Sequence, residues 1–140
     1  MDGTRNKIQN GVRCVVDVRD VAEAHIAPIE KDTGWGKRYL LFGGAPHFKE
    51  TASFVKKALE VNGSEIAKGL LSNVPTEINE ILEPTIMGPP ADKPLLYDTR
   101  PAQEELGIKF RSVDEMITSS VNELLANGFT GSHQYDTTKL

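Results

Sequence analysis

The chain of 140 residues has the size of one ordinary domain, with a hydrophobic fraction of 39% and a charged fraction of 26% that are typical of globular proteins. Its formal net charge of −4 argues against a nucleic-acid partner, and no apolar run approaches the ~20 residues of a membrane helix. A single cysteine and a polar N-terminus without a signal-peptide core predict a reduced, cytoplasmic protein that contacts no membrane.

The first predicted elements are a strand and the helix that follows it. The valine-rich run at 12–18 predicts a strand buried on both faces, with Cys14 as a small core residue. Asp20 is expected to cap a helix at 21–30, and Glu23 completes a capping box. Pro28 removes one backbone hydrogen bond and predicts a bend or an early end. Such a junction between a strand and a helix is a common place to hold a ligand.

A second strand and an amphipathic helix follow. RYLLF at 38–42 predicts a strand closed by a glycine turn, and Trp35 is expected to cover the turn before it. Apolar residues at helical spacing then predict a helix from residue 48 that stops at Gly63. Between 64 and 96 two short helices are the alternative to loops, because five prolines break any longer element.

The C-terminal part predicts two more helices. A short one at 99–106 stops at Gly107, and residues 108–110 are extended. Ser112 and Glu115 form a capping box for the last helix, which ends before Gly128. One face of that helix is apolar and is expected to pack, through Val113, Met116, Ile117, Val121, Leu124 and Leu125.

Two blocks carry a resemblance to a known family: VDVRDVAEAH at 16–25 and YDTRPAQEELGIKFRSVDE at 97–115. From residue 11 to 129 the chain resembles the C-terminal part of an extended short-chain dehydrogenase/reductase of the NAD-dependent epimerase/dehydratase superfamily, in the branch of dihydroflavonol and cinnamoyl-CoA reductases. The resemblance implies an α/β fold. Residues 1–47 would be the remnant of an incomplete Rossmann-type sheet of two or three strands, 48–129 a mostly helical substrate-binding lobe, and 130–140 a disordered tail.

The resemblance also implies the chemistry of a longer parent enzyme. That enzyme would transfer a hydride from NADP or NAD to a small-molecule carbonyl substrate, using a glycine-rich cofactor turn and a Tyr-x-x-x-Lys helix. The chain has no such glycine turn, and its one Y-x-x-x-K match, YDTTK at 135–139, stands in the polar tail. We therefore expect no catalytic or cofactor-binding residues in this chain, no tight cofactor binding, and no activity of the chain alone.

Five residues are candidates for substrate binding. Arg13 stands seven residues before Asp20, where sugar-nucleotide relatives place a phosphate-gripping arginine; the alternative is a surface arginine. Asp17 is either a structural carboxylate paired with Arg19 or a pocket-edge group. Ile86, Met87 and Tyr97 belong to PTIMGPPADKPLLYD at 84–98, which is either a pocket wall or an ordinary surface loop.

Two further expectations concern metals and partners. His25 has no second ligand at metal spacing, so no metal site is predicted. A non-enzymatic binding module is the alternative to a reductase fragment. In a fragment, apolar strand side chains would lose their cover and favour a homodimer or a complex with a missing N-terminal half; these side chains are Val12, Val15, Val16, Leu40 and Leu41.

Overall fold

The computed structural model describes residues 7–79 and 97–128, and within those ranges the chain forms five helices and one short pair of strands. β1 and β2 pair in parallel, with Ile8 opposite Ile78. No helix of the described residues has both the length and the apolar character needed to cross a membrane. In chain order the elements are β1 (Ile8–Gln9), α1 (Val18–Glu30), α2 (Phe48–Asn62), α3 (Glu65–Leu71), β2 (Ile78–Asn79), α4 (Arg100–Glu105) and α5 (Val113–Ala126).

The predicted incomplete Rossmann-type sheet is wrong, because the described part of the chain is mostly helical. Residues 12–17 are extended, but their two isolated antiparallel bridges join Val12 to His47 and Val15 to Gly44, beyond RYLLF. RYLLF at 38–42 forms no strand in the described structure. A strand buried on both faces needs neighbouring strands for its backbone and helices for its side chains. The described residues supply too few of either, so the valine-rich run remains an extended segment that leads into α1.

The start of α1 differs from the sequence prediction. The helix begins at Val18, and its N-cap is Asp17, whose Oδ1 accepts the backbone N–H of Arg19 at 2.8 Å. Asp20 therefore lies inside the first turn, where it is fully buried and accepts the backbone N–H of Arg111 at 2.9 Å. The predicted capping box of Asp20 and Glu23 is wrong, because a strong cap three residues earlier extends the helix.

The predictions for α2 and α5 are confirmed. α2 begins at Phe48 and ends at Gly63, whose φ of 64° is a left-handed conformation that glycine adopts without strain. Its N-terminus is closed by a capping box of His47 and Glu50 that the sequence analysis did not identify. α5 begins after Ser112, whose hydroxyl accepts the backbone N–H of Glu115 at 3.2 Å. This bond is one half of the predicted capping box, and the reciprocal bond from the Ser112 backbone N–H to the Glu115 side chain is not among those of the described residues.

Two separate apolar clusters form the interior. The first core joins α1 to the segment after α4 and buries Ala24, Ala27, Leu106 and Ile108, with Tyr39, Leu41 and Phe110 packed against them. The second core lies between α2, α3 and α5. It buries Val55, Leu59, Ala67 and Val74, and the partly buried side chains around them are Ala52, Leu70, Leu71, Ile117, Val121 and Leu125.

Candidate functional site

An open apolar groove with a volume of about 750 Å³ lies beside the second core. One wall is α5, the opposite wall includes residues of α2, and the rim is the junction at 15–19 where the extended segment becomes α1. Most lining side chains are aliphatic. Those used below are Val16, Val18, Val55, Met116, Val121 and Leu124.

The groove exists because the apolar face of α5 is wider than α2 and α3 can cover. Ile117, Val121 and Leu125 pack against the second core, and Met116 is buried. Leu124 belongs to the same helical face but is 49% exposed at the groove. Aliphatic surface that remains after packing is the usual lining of a small-molecule site.

Close packing around Gly44 holds the junction beside α5. Gly44 and Val15 exchange backbone hydrogen bonds of 2.8 and 3.1 Å, which fixes the extended segment. A Cβ atom on Gly44 would lie 2.8 Å from Cγ2 of Val113, the first residue of α5. A residue without a side chain permits this approach, so Gly44 sets the distance between the extended segment at the rim and α5.

Asp17 and Arg19 form an ion pair at the rim. The guanidinium donates from Nε to Oδ1 at 2.9 Å and from Nη2 to Oδ2 at 2.7 Å, and the carboxylate is only 6% exposed. The hydrogen bonds from Arg19 lower the pKa of Asp17 to about 2, and the carboxylate in turn raises the pKa of Arg19. The two charges neutralise each other, so this end of the groove is polar without being a free anion or cation site.

Of the hydroxyl side chains that line the groove, those of Thr51 and Ser120 form hydrogen bonds to backbone carbonyls, and that of Ser119 also lines it. Ser120 donates to the backbone carbonyl of Met116 at 2.9 Å, and Thr51 donates to that of His47 at 3.3 Å. His25 lies elsewhere on α1, where its ring contacts the carbonyl of Val21 at 2.7 Å. The lining described here therefore suits binding of an apolar molecule, and its polar groups do not form a nucleophile–base pair.

The five predicted substrate residues occupy different surroundings. Asp17 lines the groove, while Arg13 is exposed and lies outside the lining. Tyr97 is also outside it; its ring meets that of Phe42 edge-on at 4.9 Å. The structure thus brings one of the described candidates to the groove, and Ile86 and Met87 lie outside the described residues, as do YDTTK and the predicted tail.

Cys14 and Trp35 have other surroundings than the sequence predicts. Cys14 is exposed, so its prediction as a core residue is wrong; the run that carries it is covered only in part. Its thiol raises the pKa of the nearby Tyr97 phenol. Trp35 is 79% exposed and contacts its turn through a 3.1 Å hydrogen bond to Asp32.

The residues at this site do not fit a dinucleotide pyrophosphate. Such a group needs free backbone N–H groups at a helix N-terminus, but the Asp17 carboxylate already caps α1. The Arg19 guanidinium beside it is engaged by the same carboxylate. Among the described residues no group of three potential metal ligands comes together either.

Sequence reasoning missed two parts of the site. The sequence predicts the cap at Asp20, whereas the structure has it at Asp17. D-x-R occurs twice, at 17–19 and at 98–100, and both copies form the same local ion pair. The repeat indicates the ion pair but not the cap, because the N-cap of α4 is Thr99 and not Asp98. The groove itself had no local signal, because it depends on how far α2 covers α5.

Comparisons with known proteins identify no family for this chain. Neither a scan of protein-family models nor a search of curated proteins gave a match.

Proposed function

We propose that this chain supplies the substrate-binding surface of an NAD(P)-dependent oxidoreductase that reduces a carbonyl group, and that a separate N-terminal portion holds the cofactor. The observation that carries this proposal is the apolar groove of about 750 Å³. Its rim is the junction at 15–19, which belongs to one of the two blocks that resemble reductases.

The size and charge of the groove support a substrate of the reductase branch. Ligand sites commonly enclose roughly 300–1,000 Å³ and are mostly apolar with a few polar groups. The paired charges of Asp17 and Arg19 favour an uncharged molecule, since each already has a partner of opposite charge. Arg13, the candidate for gripping a phosphate, stands outside the lining.

The N-terminal portion and the groove residues would have different roles in the reaction. NADPH or NADH supplies the hydride to the carbonyl carbon when bound to the N-terminal portion. The groove residues bind the apolar body of the substrate and displace water from it, which raises the fraction of substrate held in one orientation. The chain on its own is expected to be inactive, because positioning does not replace a hydride source or an acid.

Reconstitution tests this proposal. The chain is mixed with the N-terminal portion of a dihydroflavonol-reductase-type enzyme, which carries the glycine turn and the Tyr-x-x-x-Lys helix, and NADPH oxidation is followed with an aryl aldehyde. We expect activity only in the mixture. Leu124→Asp in the groove should lower kcat/KM about tenfold, because a charge replaces apolar contact surface.

Ile66→Asp on α3 is the matched control, because Ile66 is 40% exposed and lies outside the groove, whereas Leu124 is 49% exposed and lines it. Ile66→Asp should leave kcat/KM unchanged. A stable complex of the two portions that oxidises no NADPH with any aldehyde would contradict the proposal, as would equal effects of the two substitutions.

A non-enzymatic binding module is the second candidate, favoured by the engaged polar groups of the groove, Thr51 and Ser120. It predicts that the chain alone binds aryl aldehydes or similar apolar compounds, with the same loss in Leu124→Asp, and that the reconstituted mixture remains inactive. Saturation-transfer NMR on the chain alone measures that binding.

A further inference from the structure

A second apolar surface runs along the outside of α1. Its members are spaced by four, four and three residues, which places them on one side of a helix of 3.6 residues per turn. Val18 is 78% exposed, Ile26 52% and Ile29 75%. We call this surface, made of Val18, Ala22, Ile26 and Ile29, the outer face of α1.

The inner face of the same helix is less bulky. It buries Ala24, Ala27 and Asp20 against the first core and the segment before α5. A helix on a protein surface normally directs its large aliphatic side chains inward. In α1 the large ones point outward and the small ones inward, which is the pattern of a helix covered on both sides.

We infer that the outer face of α1 binds the same face of a second copy of this chain, with the two helices antiparallel about a two-fold axis. The middle of α1 is residue 24. An antiparallel pairing about that point places Val18 against Ile29 of the partner subunit, and Ala22 against Ile26 of the partner subunit. Each contact then joins a larger side chain to a smaller one, as efficient packing requires.

The charges beside the outer face are complementary in the same arrangement. At about 100° per residue, Arg19 and Glu30 lie on the same side of the face, near opposite ends of the helix. The two-fold axis therefore places Arg19 opposite Glu30 of the partner subunit, twice in the dimer. Arg19 gives Nε and Nη2 to Asp17, but a guanidinium has five N–H donors and this side chain is 43% exposed.

The small area of the outer face of α1 limits the expected affinity of the dimer. Four side chains on a 13-residue helix make a contact below the ~1,600 Å² of a standard stable interface. A weak dimer is expected, with a dissociation constant on the order of 10–100 µM. Val18 also lines the groove, so the second copy would lie at the groove rim.

Sedimentation equilibrium of the full chain over a wide concentration range tests this inference. The mass should rise from 15.4 kDa toward twice that value. Ile29→Glu should raise the dissociation constant at least tenfold, because it buries a charge in an apolar contact. Glu30→Arg should raise it about fivefold, because it places two arginines opposite each other.

Each variant has a matched control. Val61→Glu introduces the same charge at an exposed aliphatic residue on α2, and Glu60→Arg reverses an exposed glutamate on the same helix. Both should associate as the unmodified chain does. Circular dichroism of all four variants establishes that the helices remain formed.

Three results would overturn the inference. One is a chain that stays at 15.4 kDa at about 1 mM. Another is association that Val61→Glu weakens as much as Ile29→Glu, which would place the interface elsewhere. The third is a monomeric chain whose outer face binds the reductase N-terminal portion instead. The readout is mass, so this result is independent of the aldehyde-dependent activity that tests the proposed function.

Discussion

Two aspartate–arginine pairs in this chain have the same local geometry and different surroundings. In each, the carboxylate of residue i accepts the backbone N–H, Nε and Nη2 of the arginine at i+2, over 2.7–2.9 Å for Asp17 and 2.8–3.1 Å for Asp98. Both contacts lower the pKa of the aspartate to about 2. Asp17 is 6% exposed and Asp98 55%, so the two differ in how water and salt reach the pair.

The first prediction compares Asp17→Asn with Asp98→Asn. Asparagine caps a helix about as well as aspartate, so the substitution removes the charge and retains the cap. Asp17→Asn should lower the free energy of unfolding by about 1–2 kcal/mol, because a hydrogen-bonded charge is lost from a buried position. Asp98→Asn should have no measurable effect. Urea denaturation measures the free energy of unfolding of both variants. Equal losses that disappear in about 1 M NaCl would show that the burial of Asp17 does not strengthen its ion pair.

The second prediction concerns pH. The folded-state pKa of Asp17 is about 2, below its ordinary value of 3.8. A lowered folded-state pKa stabilises the fold above the ordinary pKa, and this contribution is lost as the pH falls toward the folded-state value. The stability difference between the unmodified chain and Asp17→Asn should therefore be full above about pH 5 and shrink toward pH 2. A difference that stays constant over this range would contradict the ion pair.

At the scale of elements, the same substitution at two glycines should have opposite effects. Gly44→Ala brings a Cβ atom within 2.8 Å of Val113, a β-branched residue at the start of α5 that cannot easily turn away. Gly69 lies on α3, and a Cβ atom added there would meet no atom within 4 Å.

Gly44→Ala should destabilise the chain by about 1–3 kcal/mol, the range for overpacking. Gly69→Ala should stabilise it by about 0.5–1 kcal/mol, because alanine is the better helix former. Thermal unfolding followed by circular dichroism measures both. A neutral Gly44→Ala would mean that the extended segment can move away from α5. The distance between the rim of the groove and α5 would then not be fixed.

At the scale of the whole molecule, the buried Asp20 connects the two cores. It accepts the backbone N–H of Arg111 at 2.9 Å and is ion-paired with the guanidinium, immediately before α5 begins. The same guanidinium also contacts Glu23 at 3.0 Å, which is 51% exposed. α1 packs in the first core and α5 in the second, so this contact joins the two clusters.

Asp20→Asn should lower the free energy of unfolding by about 3 kcal/mol, the low end of the range for breaking a buried ion pair. Glu23→Gln removes an exposed partner from the same arginine and should have a much smaller effect, because water replaces it. Urea denaturation followed by Trp35 fluorescence and by circular dichroism compares the variants. Equal effects of the two substitutions would contradict the role of Asp20 as the buried link.

The last prediction concerns the cofactor. No saturable binding of NADPH by the chain alone is expected, because the carboxylate of Asp17 occupies the N-terminus of α1 and pairs with Arg19. Titration followed by nicotinamide fluorescence measures this binding. Saturation by the folded chain would mean that it carries a cofactor site of its own, and the proposed division between two portions would then be wrong.

Local chemistry was sufficient to predict the elements whose stability is local. The 3.6-residue spacing, Gly63 and Ser112 predicted α2 and α5 with their boundaries, because caps and periodicity act within one helix. The choice between Asp17 and Asp20 as cap of α1 was not decided locally, because both are good caps. It depended on Arg111, 91 residues away, which accommodates Asp20 as a buried charge.

The tertiary arrangement determined the features that depend on distant partners. Valine-rich 12–18 and RYLLF carry strand propensity, but propensity forms a sheet only where neighbouring strands and covering helices exist. In the described residues only isolated bridges join the first run to Gly44 and His47, and RYLLF forms no strand. The groove likewise arises where the apolar face of α5 extends beyond α2, and the outer face of α1 is exposed because the first core takes only its small residues. Periodicity shows that a residue is apolar and on a given face; what covers that face is a property of the assembled chain.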